Sequence, residues 1–228
     1  MSLRHFYLFM CVLSATLVHA QTEKLFDGMK WRMIGPHRGG RTVGAVGTRQ
    51  QPNVFYIGVN NGGVWKTNDF GRTWMPIFDD QPTGSIGDVV VAPSNPDVLY
   101  AGSGEGLQRP DLSVGDGIYK SADGGKTWIN TGLKDGQQIG GLAIDPNNPD
   151  RVFAAVLGHP YGPNKERGVY RTLDGGKTWE RVLYKDENTG AIQVAIDPKN
   201  PDVIYADLWA ARLAPWENGS WEGMESGL

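Results

Sequence analysis

The sequence predicts an all-β chain in which one four-stranded antiparallel unit is used repeatedly. Three observations carry that prediction. The octet Ser121-Ala122-Asp123-Gly124-Gly125-Lys126-Thr127-Trp128 returns as Thr172-Leu173-Asp174-Gly175-Gly176-Lys177-Thr178-Trp179, and a looser copy, Thr67-Asn68-Asp69-Phe70-Gly71-Arg72-Thr73-Trp74, precedes both. The shared pattern is Ser/Thr-x-Asp-x-Gly-x-Thr-Trp, and its tryptophans recur about every fifty residues, the period of a repeat architecture. Gly at 32, Pro at 14 and Trp at 8 in 228 residues is the composition of many tight turns and large packed aromatics.

The octet is a hairpin turn by its own chemistry. Aspartate accepts hydrogen bonds from backbone N–H groups further along, and glycine supplies a positive-φ position. Threonine then resumes an extended segment, and tryptophan packs its face on a neighbour. Asp69, Gly71, Thr73 and Trp74, then Asp123, Gly125, Thr127 and Trp128, then Asp174, Gly176, Thr178 and Trp179 are therefore assigned structural roles.

Residues 1–20 have the form of a secretory signal peptide. Arg4 and His5 precede an apolar run at 6–17, and Val18-His19-Ala20 offers small residues for cleavage before Gln21. The run is too short to span a membrane. Cys11, the only cysteine, lies inside it, so a mature chain has no disulfide. The expectation is a secreted or periplasmic protein. The net charge of −3 comes with no basic stripe, which argues against nucleic acid as a partner.

A polar lead at 21–30 is followed by a strand at 31–34 and the basic glycine-rich turn His37-Arg38-Gly39-Gly40-Arg41. Arg38 and Arg41 there are either loop residues or an anion site. The repeating unit then predicts strands at 43–48, 54–59, 63–67 and 74–78; at 88–92, 98–102, 117–121 and 128–131; and at 139–144, 151–157, 169–172 and 179–183. A fourth unit begins with 192–196 and 203–208. Pro52-Asn53, Pro96-Asp97, Pro149-Asp150 and Pro201-Asp202 mark the turn into each second strand, because proline cannot donate to a ladder. Such units are the blades of a β-propeller. The chain reads as an N-terminal fragment of about three and a half blades, at 31–78, 86–132, 138–184 and an incomplete 190–228, with further blades expected as partners.

If each first strand lines the propeller axis, the octets and Pro-Asp turns share one edge and the loops between second and third strands share the other. Those upper loops are unequal, and long unequal loops on a rigid scaffold are where function concentrates. Candidate ligand-binding residues are Arg38, Arg41, His159, Tyr161, Trp209, Trp216 and Trp221, the last three on a loop spanning 209–227. Aromatic faces beside polar groups suit a carbohydrate or a peptide. Candidate catalytic carboxylates are Asp88, Glu105 and Asp116, with Asp111 and Asp207 also within reach of the axis. Glycoside hydrolysis requires two such groups at a set separation. No HExxH, CxxC or nucleotide-binding loop occurs, and the sequence calls for no metal and no cofactor.

From about residue 27 onward the chain resembles the BNR, or Asp-box, repeat β-propellers of the sortilin N-terminal (VPS10-like) group, and within it the large bacterial exported members labelled glycosyl hydrolase-like. The resemblance implies a ligand-binding propeller, with a polysaccharide hydrolase or an assembly scaffold as alternatives. Xyloglucanase-type propellers carry a catalytic aspartate in a Thr-Asp-x-Gly-Gly-x-Tyr stretch. The matching stretch here is Val59-Asn60-Asn61-Gly62-Gly63-Val64-Trp65, and an amide at Asn60 cannot act as a general base.

Overall fold

The computed structural model describes residues 28–29, 40–106, 112–213, 220–222, 224 and 226–228, with backbone alone for 212, 213 and 220–222. The chain divides into two units, Met1–His37 and Arg38–Leu228. Everything below concerns the second unit. The predicted signal peptide and the strand at 31–34 lie outside the described residues.

Three four-stranded sheets follow one another. The first holds β1 (Thr42–Thr48), β2 (Gln51–Val59), β3 (Gly63–Thr67) and β4 (Met75–Pro76). The second holds β5 (Ile86–Ala92), β6 (Asn95–Ser103), β7 (Ile118–Ser121) and β8 (Ile129–Gly132). The third holds β9 (Ile139–Ile144), β10 (Val152–Val156), β11 (Gly168–Thr172) and β12 (Glu180–Leu183). A fourth sheet is made of β13 (Thr189–Ile196), β14 (Ile204–Leu213) and β15 (Ser220–Glu222). Strand order within each sheet is the order of the chain, and every pairing is antiparallel. The first strands β1, β5, β9 and β13 lie side by side in succession. In the fourth sheet the Gly227 N–H and C=O pair with Leu208 at 3.0 and 2.8 Å, where Gly63 and Gly168 meet Val59 and Val156.

Period-two alternation builds a core between each pair of sheets. Leu99 and Ala101 of β6 face the first sheet, where they join Val54, Tyr56, Val64 and Phe78. Val98 and Tyr100 of the same strand face the third, among Leu142, Val152, Ala154 and Val156. Phe153, Ala155 and Val169 then meet Ala191 and Val194 of the fourth. Sheets covered on both faces read as near-continuous apolar runs, which is why β10 reads Val-Phe-Ala-Ala-Val and the centre of β6 reads Val-Leu-Tyr-Ala.

The three octets fold alike. Asp123 Oδ1 accepts from Ser121 Oγ (2.8 Å), Lys126 N (3.0 Å) and Thr127 N (2.9 Å), while its Oδ2 accepts from Thr127 Oγ1 at 2.7 Å. Asp69 and Asp174 repeat the bonds to residues two before and four after. Those donors hold all three carboxyls down to about 2. Gly71, Gly125 and Gly176 take φ of 84°, 87° and 90°. At the preceding octet position Phe70, Gly124 and Gly175 donate their N–H to the carbonyls of Asn53, Asp97 and Asp150. In the first three sheets, octets and the turns into second strands therefore share one edge.

The tryptophans tie sheet to sheet. Trp128 Nε1 donates to Ile77 O of the first sheet's outer segment at 2.8 Å, and Trp179 Nε1 donates to Thr131 O of the second at 3.0 Å. Trp74 instead donates to Gly71 O within its own octet, at 3.1 Å.

Candidate functional site

The opposite edge gathers the upper loops and the links between sheets. Gly63 N donates to Gly84 O, Gly104 N to Ser85 O, Leu157 N to Gln138 O and Asn164 N to Glu187 O. At this edge four side chains from different sheets converge. Arg41 precedes β1, Asn60 follows β2, Glu105 follows β6 and Gln138 precedes β9. Arg41 Nη2 donates to Glu105 Oε2 at 3.2 Å and to Oε1 at 3.4 Å. With the Asn60 amide set so that Nδ2 donates to Ile86 O at 2.8 Å, its Oδ1 accepts from Arg41 Nη2 at 2.9 Å. Gln138 Oε1 accepts the Glu105 N–H. Glu105 is fully buried and Arg41 is nearly half exposed. The ion pair anchors the upper end of β6 to the segment before β1. Arg41 Nη2 thus serves Glu105 and Asn60, while the side chain stays 44% exposed. Arg38 lies outside the described residues.

The other two carboxylate candidates are held apart from this cluster. Asp88 sits on β5, where Oδ1 accepts Val89 N at 2.8 Å and Oδ2 accepts Leu142 N of β9 at 2.9 Å. A methyl at Gly44 would come within 2.9 Å of Oδ1, so the carboxylate is clasped between inner strands. Burial outweighs the two N–H donors and pushes its carboxyl up to about 6. Asp116 lies farther out, before β7. It accepts the Tyr119 hydroxyl at 2.8 and 2.7 Å, while its N–H donates to Ser103 Oγ at 2.8 Å. Burial and this carboxylate push the Tyr119 phenol up to about 12.

The loop at 158–167 is organised by a residue that sequence reasoning passed over. Arg167 is fully buried. Its Nη1 donates to Leu157 O at 2.5 Å and Ala211 O at 3.5 Å, and its Nη2 to His159 O at 2.7 Å and Gly162 O at 3.1 Å. His159 Nε2 lies 3.0 Å from Asp135 Oδ1, and Asn164 Nδ2 donates to Asp135 Oδ2 at 3.0 Å. Tyr161 is 44% exposed. Arg167 and Asp116 share one signal, a charged residue immediately before the glycine that opens a third strand.

The aromatic loop expected at 209–227 is different in the structure. Trp209 belongs to β14 and pairs with Gly190 of β13. Strand β14 runs on to Leu213 and turns back as β15, which places Trp221 opposite Arg212. Trp209 is therefore a half-buried sheet residue and not a loop platform. Trp216 and Asp111 lie outside the described residues, and Asp207 is an exposed residue of β14.

Successive four-stranded antiparallel sheets packed through their first strands define a β-propeller, here in part. No protein-family model matches the chain. It is similar to the oligoxyloglucan-reducing end-specific xyloglucanase of Emericella nidulans, 31% identical over 213 residues, which cover 85% of this chain and 24% of that protein. It is also similar to a xyloglucanase of Paenibacillus sp., 25% identical over 166 residues, covering 67% of this chain and 15% of the relative. The chain thus spans less than a quarter of the length of these curated relatives. Among solved structures it resembles an ancestral GH74 enzyme, with a TM-score of 0.60 and 20% identity over 78% of this chain and 24% of the other. The GH74 xyloglucanase from Xanthomonas campestris gives a TM-score of 0.53 and 18% identity over 79% and 28%. The propeller expectation holds, and the relatives are xyloglucanase-like; the finer placement in the sortilin-type group rests on the octets alone. Among the described residues no helix is long and apolar enough to cross a membrane.

Proposed function

We propose that this chain supplies blades to an exported β-propeller that binds a xyloglucan-type polysaccharide along its upper edge, and that these blades hold the glycan without providing the general base. The observation that carries this reading is the state of Asn60. It stands where the xyloglucanase-type stretch has its catalytic aspartate, and its buried amide is used by Arg41 and Ile86 O. An amide has no proton-accepting carboxylate to offer, and Glu105 is committed to Arg41. The xyloglucanase relatives support the polysaccharide class. Those same relatives favour one alternative, a hydrolase whose acids come from further blades of a longer chain. Affinity electrophoresis of the chain in gels containing xyloglucan, mannan or no glycan, with a parallel reducing-end assay, tests the reading. Retardation by xyloglucan without new reducing ends is expected. Equal mobility in all gels would overturn binding, and reducing ends released by this chain would overturn the claim that these blades provide no general base.

A further inference from the structure

The third sheet's upper loop carries a built feature that the other described loops lack. The loop at 60–62 has three residues and no aromatic side chain. The loop at 158–167 instead wraps around its own arginine. Four backbone carbonyls converge on the buried Arg167 guanidinium, two of them, His159 O and Gly162 O, flanking Tyr161 on either side. Gly158, at φ 87°, makes room for that wrapping, since a Cβ there would lie 2.4 Å from Arg167 Cγ. Charge-assisted donors to carbonyls are the stronger hydrogen bonds of a protein, so this segment is held before any ligand arrives. Tyr161 is left 44% exposed at its apex.

The loop's polar groups are fixed as well. Asp135, from the 3-10 turn Lys134–Gly136, is oriented by His159 at 3.0 Å and by Asn164 at 3.0 Å, and its side chain is 65% exposed. Asn164 itself is buried and tied to the chain by its N–H to Glu187 O. An aromatic face on an immobilised loop, with an oriented carboxylate on the same loop's support, is a pairing suited to a sugar ring. The ring's C–H face stacks, and its hydroxyls donate to the carboxylate.

We infer that the Arg167-pinned loop is a glycan subsite, with Tyr161 as the stacking platform, Asp135 as the hydroxyl acceptor and Arg167 as a positioning residue, for one uncharged glycosyl unit of a β-linked polysaccharide. The inference rests on the proposed polysaccharide function and names where on the upper edge the glycan lies. The test is calorimetric titration of a xyloglucan-derived oligosaccharide into the full chain, its Tyr161→Ala and Tyr161→Phe variants and Asp135→Asn. Tyr161 is exposed, so thermal unfolding of the tyrosine variants stays at the parent value. Tyr161→Ala is expected to weaken binding roughly tenfold or more, the weight of one covered aromatic face. Tyr161→Phe keeps the stack and binds within about twofold of the parent, while Asp135→Asn weakens binding roughly threefold to tenfold. Binding by the parent that Tyr161→Ala leaves unchanged overturns the subsite alone. Absence of binding by the parent overturns the polysaccharide reading and the subsite with it.

Discussion

Replacing Trp128 and Trp74 by phenylalanine separates a bond between sheets from a bond within a turn. Both residues close an octet, and both substitutions keep a six-membered ring. Trp128 is 8% exposed, donates Nε1–H to Ile77 O of the preceding sheet at 2.8 Å and packs edge-on against Phe78 with centroids 5.2 Å apart. Its loss removes one hydrogen bond, worth about 1 kcal/mol net, and strands a carbonyl between sheets at a further cost of about 1–2 kcal/mol. The smaller ring also forfeits part of the buried face. Trp128→Phe should therefore cost about 2–4 kcal/mol. Trp74 donates only to Gly71 O of its own turn at 3.1 Å and is half-buried, so Trp74→Phe should cost no more than about 1 kcal/mol. Urea unfolding followed by circular dichroism gives both values, with the slope of the transition unchanged. Equal losses, or a larger loss for Trp74, would refute the role of the octet tryptophan as a tie between sheets.

Asp88 and the octet aspartates predict opposite pH dependences. The folded Asp88 carboxyl titrates near 6, above the ordinary value of 3.8, so the native state holds the extra proton between about pH 4 and 6 and this group's contribution falls as pH rises through that window. The fall is at most about 3 kcal/mol, and Asp88→Asn removes that limb from a plot of urea midpoint against pH; an unchanged limb would count against it. The octet carboxyls, held down to about 2, contribute above pH 4 and lose that contribution as pH falls towards 2. Glu105→Gln should cost about 1–3 kcal/mol, less than for a fully buried pair because Arg41 is nearly half exposed; a stability within error of the parent would show that the ion pair is no anchor. Gly158→Ala should destabilise the chain by about 1–3 kcal/mol, because the new methyl meets Arg167 and the backbone is at positive φ; a neutral result by thermal unfolding would contradict the wrapped loop.

Local chemistry made much of this fold readable. The octet's aspartate bonds residues at most four away, so Asp123, Gly125 and Thr127 could be assigned without tertiary knowledge. The fourth strand of the first sheet was harder. Expected at 74–78, it reduces to Met75–Pro76, because Pro76 cannot donate and little ladder survives around it. Trp209 was misplaced for the converse reason. Gly190 conceals the start of β13, yet Thr189, Gly190 and Ala191 pair with β14 and carry it through Trp209. Arg41, Asn60 and Glu105 stand out in the sequence, but their convergence does not. Arg41 and Glu105 stand 64 positions apart and meet only because adjacent sheets place their upper ends together. Arg167 reads as a solvated loop residue until four backbone carbonyls, two of them from its own loop, are seen to converge on it.

The central claim is that these blades hold a xyloglucan-type glycan while Asn60 withholds a general base. Titrating a xyloglucan oligosaccharide into the chain, then assaying the same sample for reducing ends, tests it most directly. The account predicts saturable binding heat and a reducing-end signal that stays at the blank. Flat heats, or bound glycan that the chain itself cleaves, would contradict it.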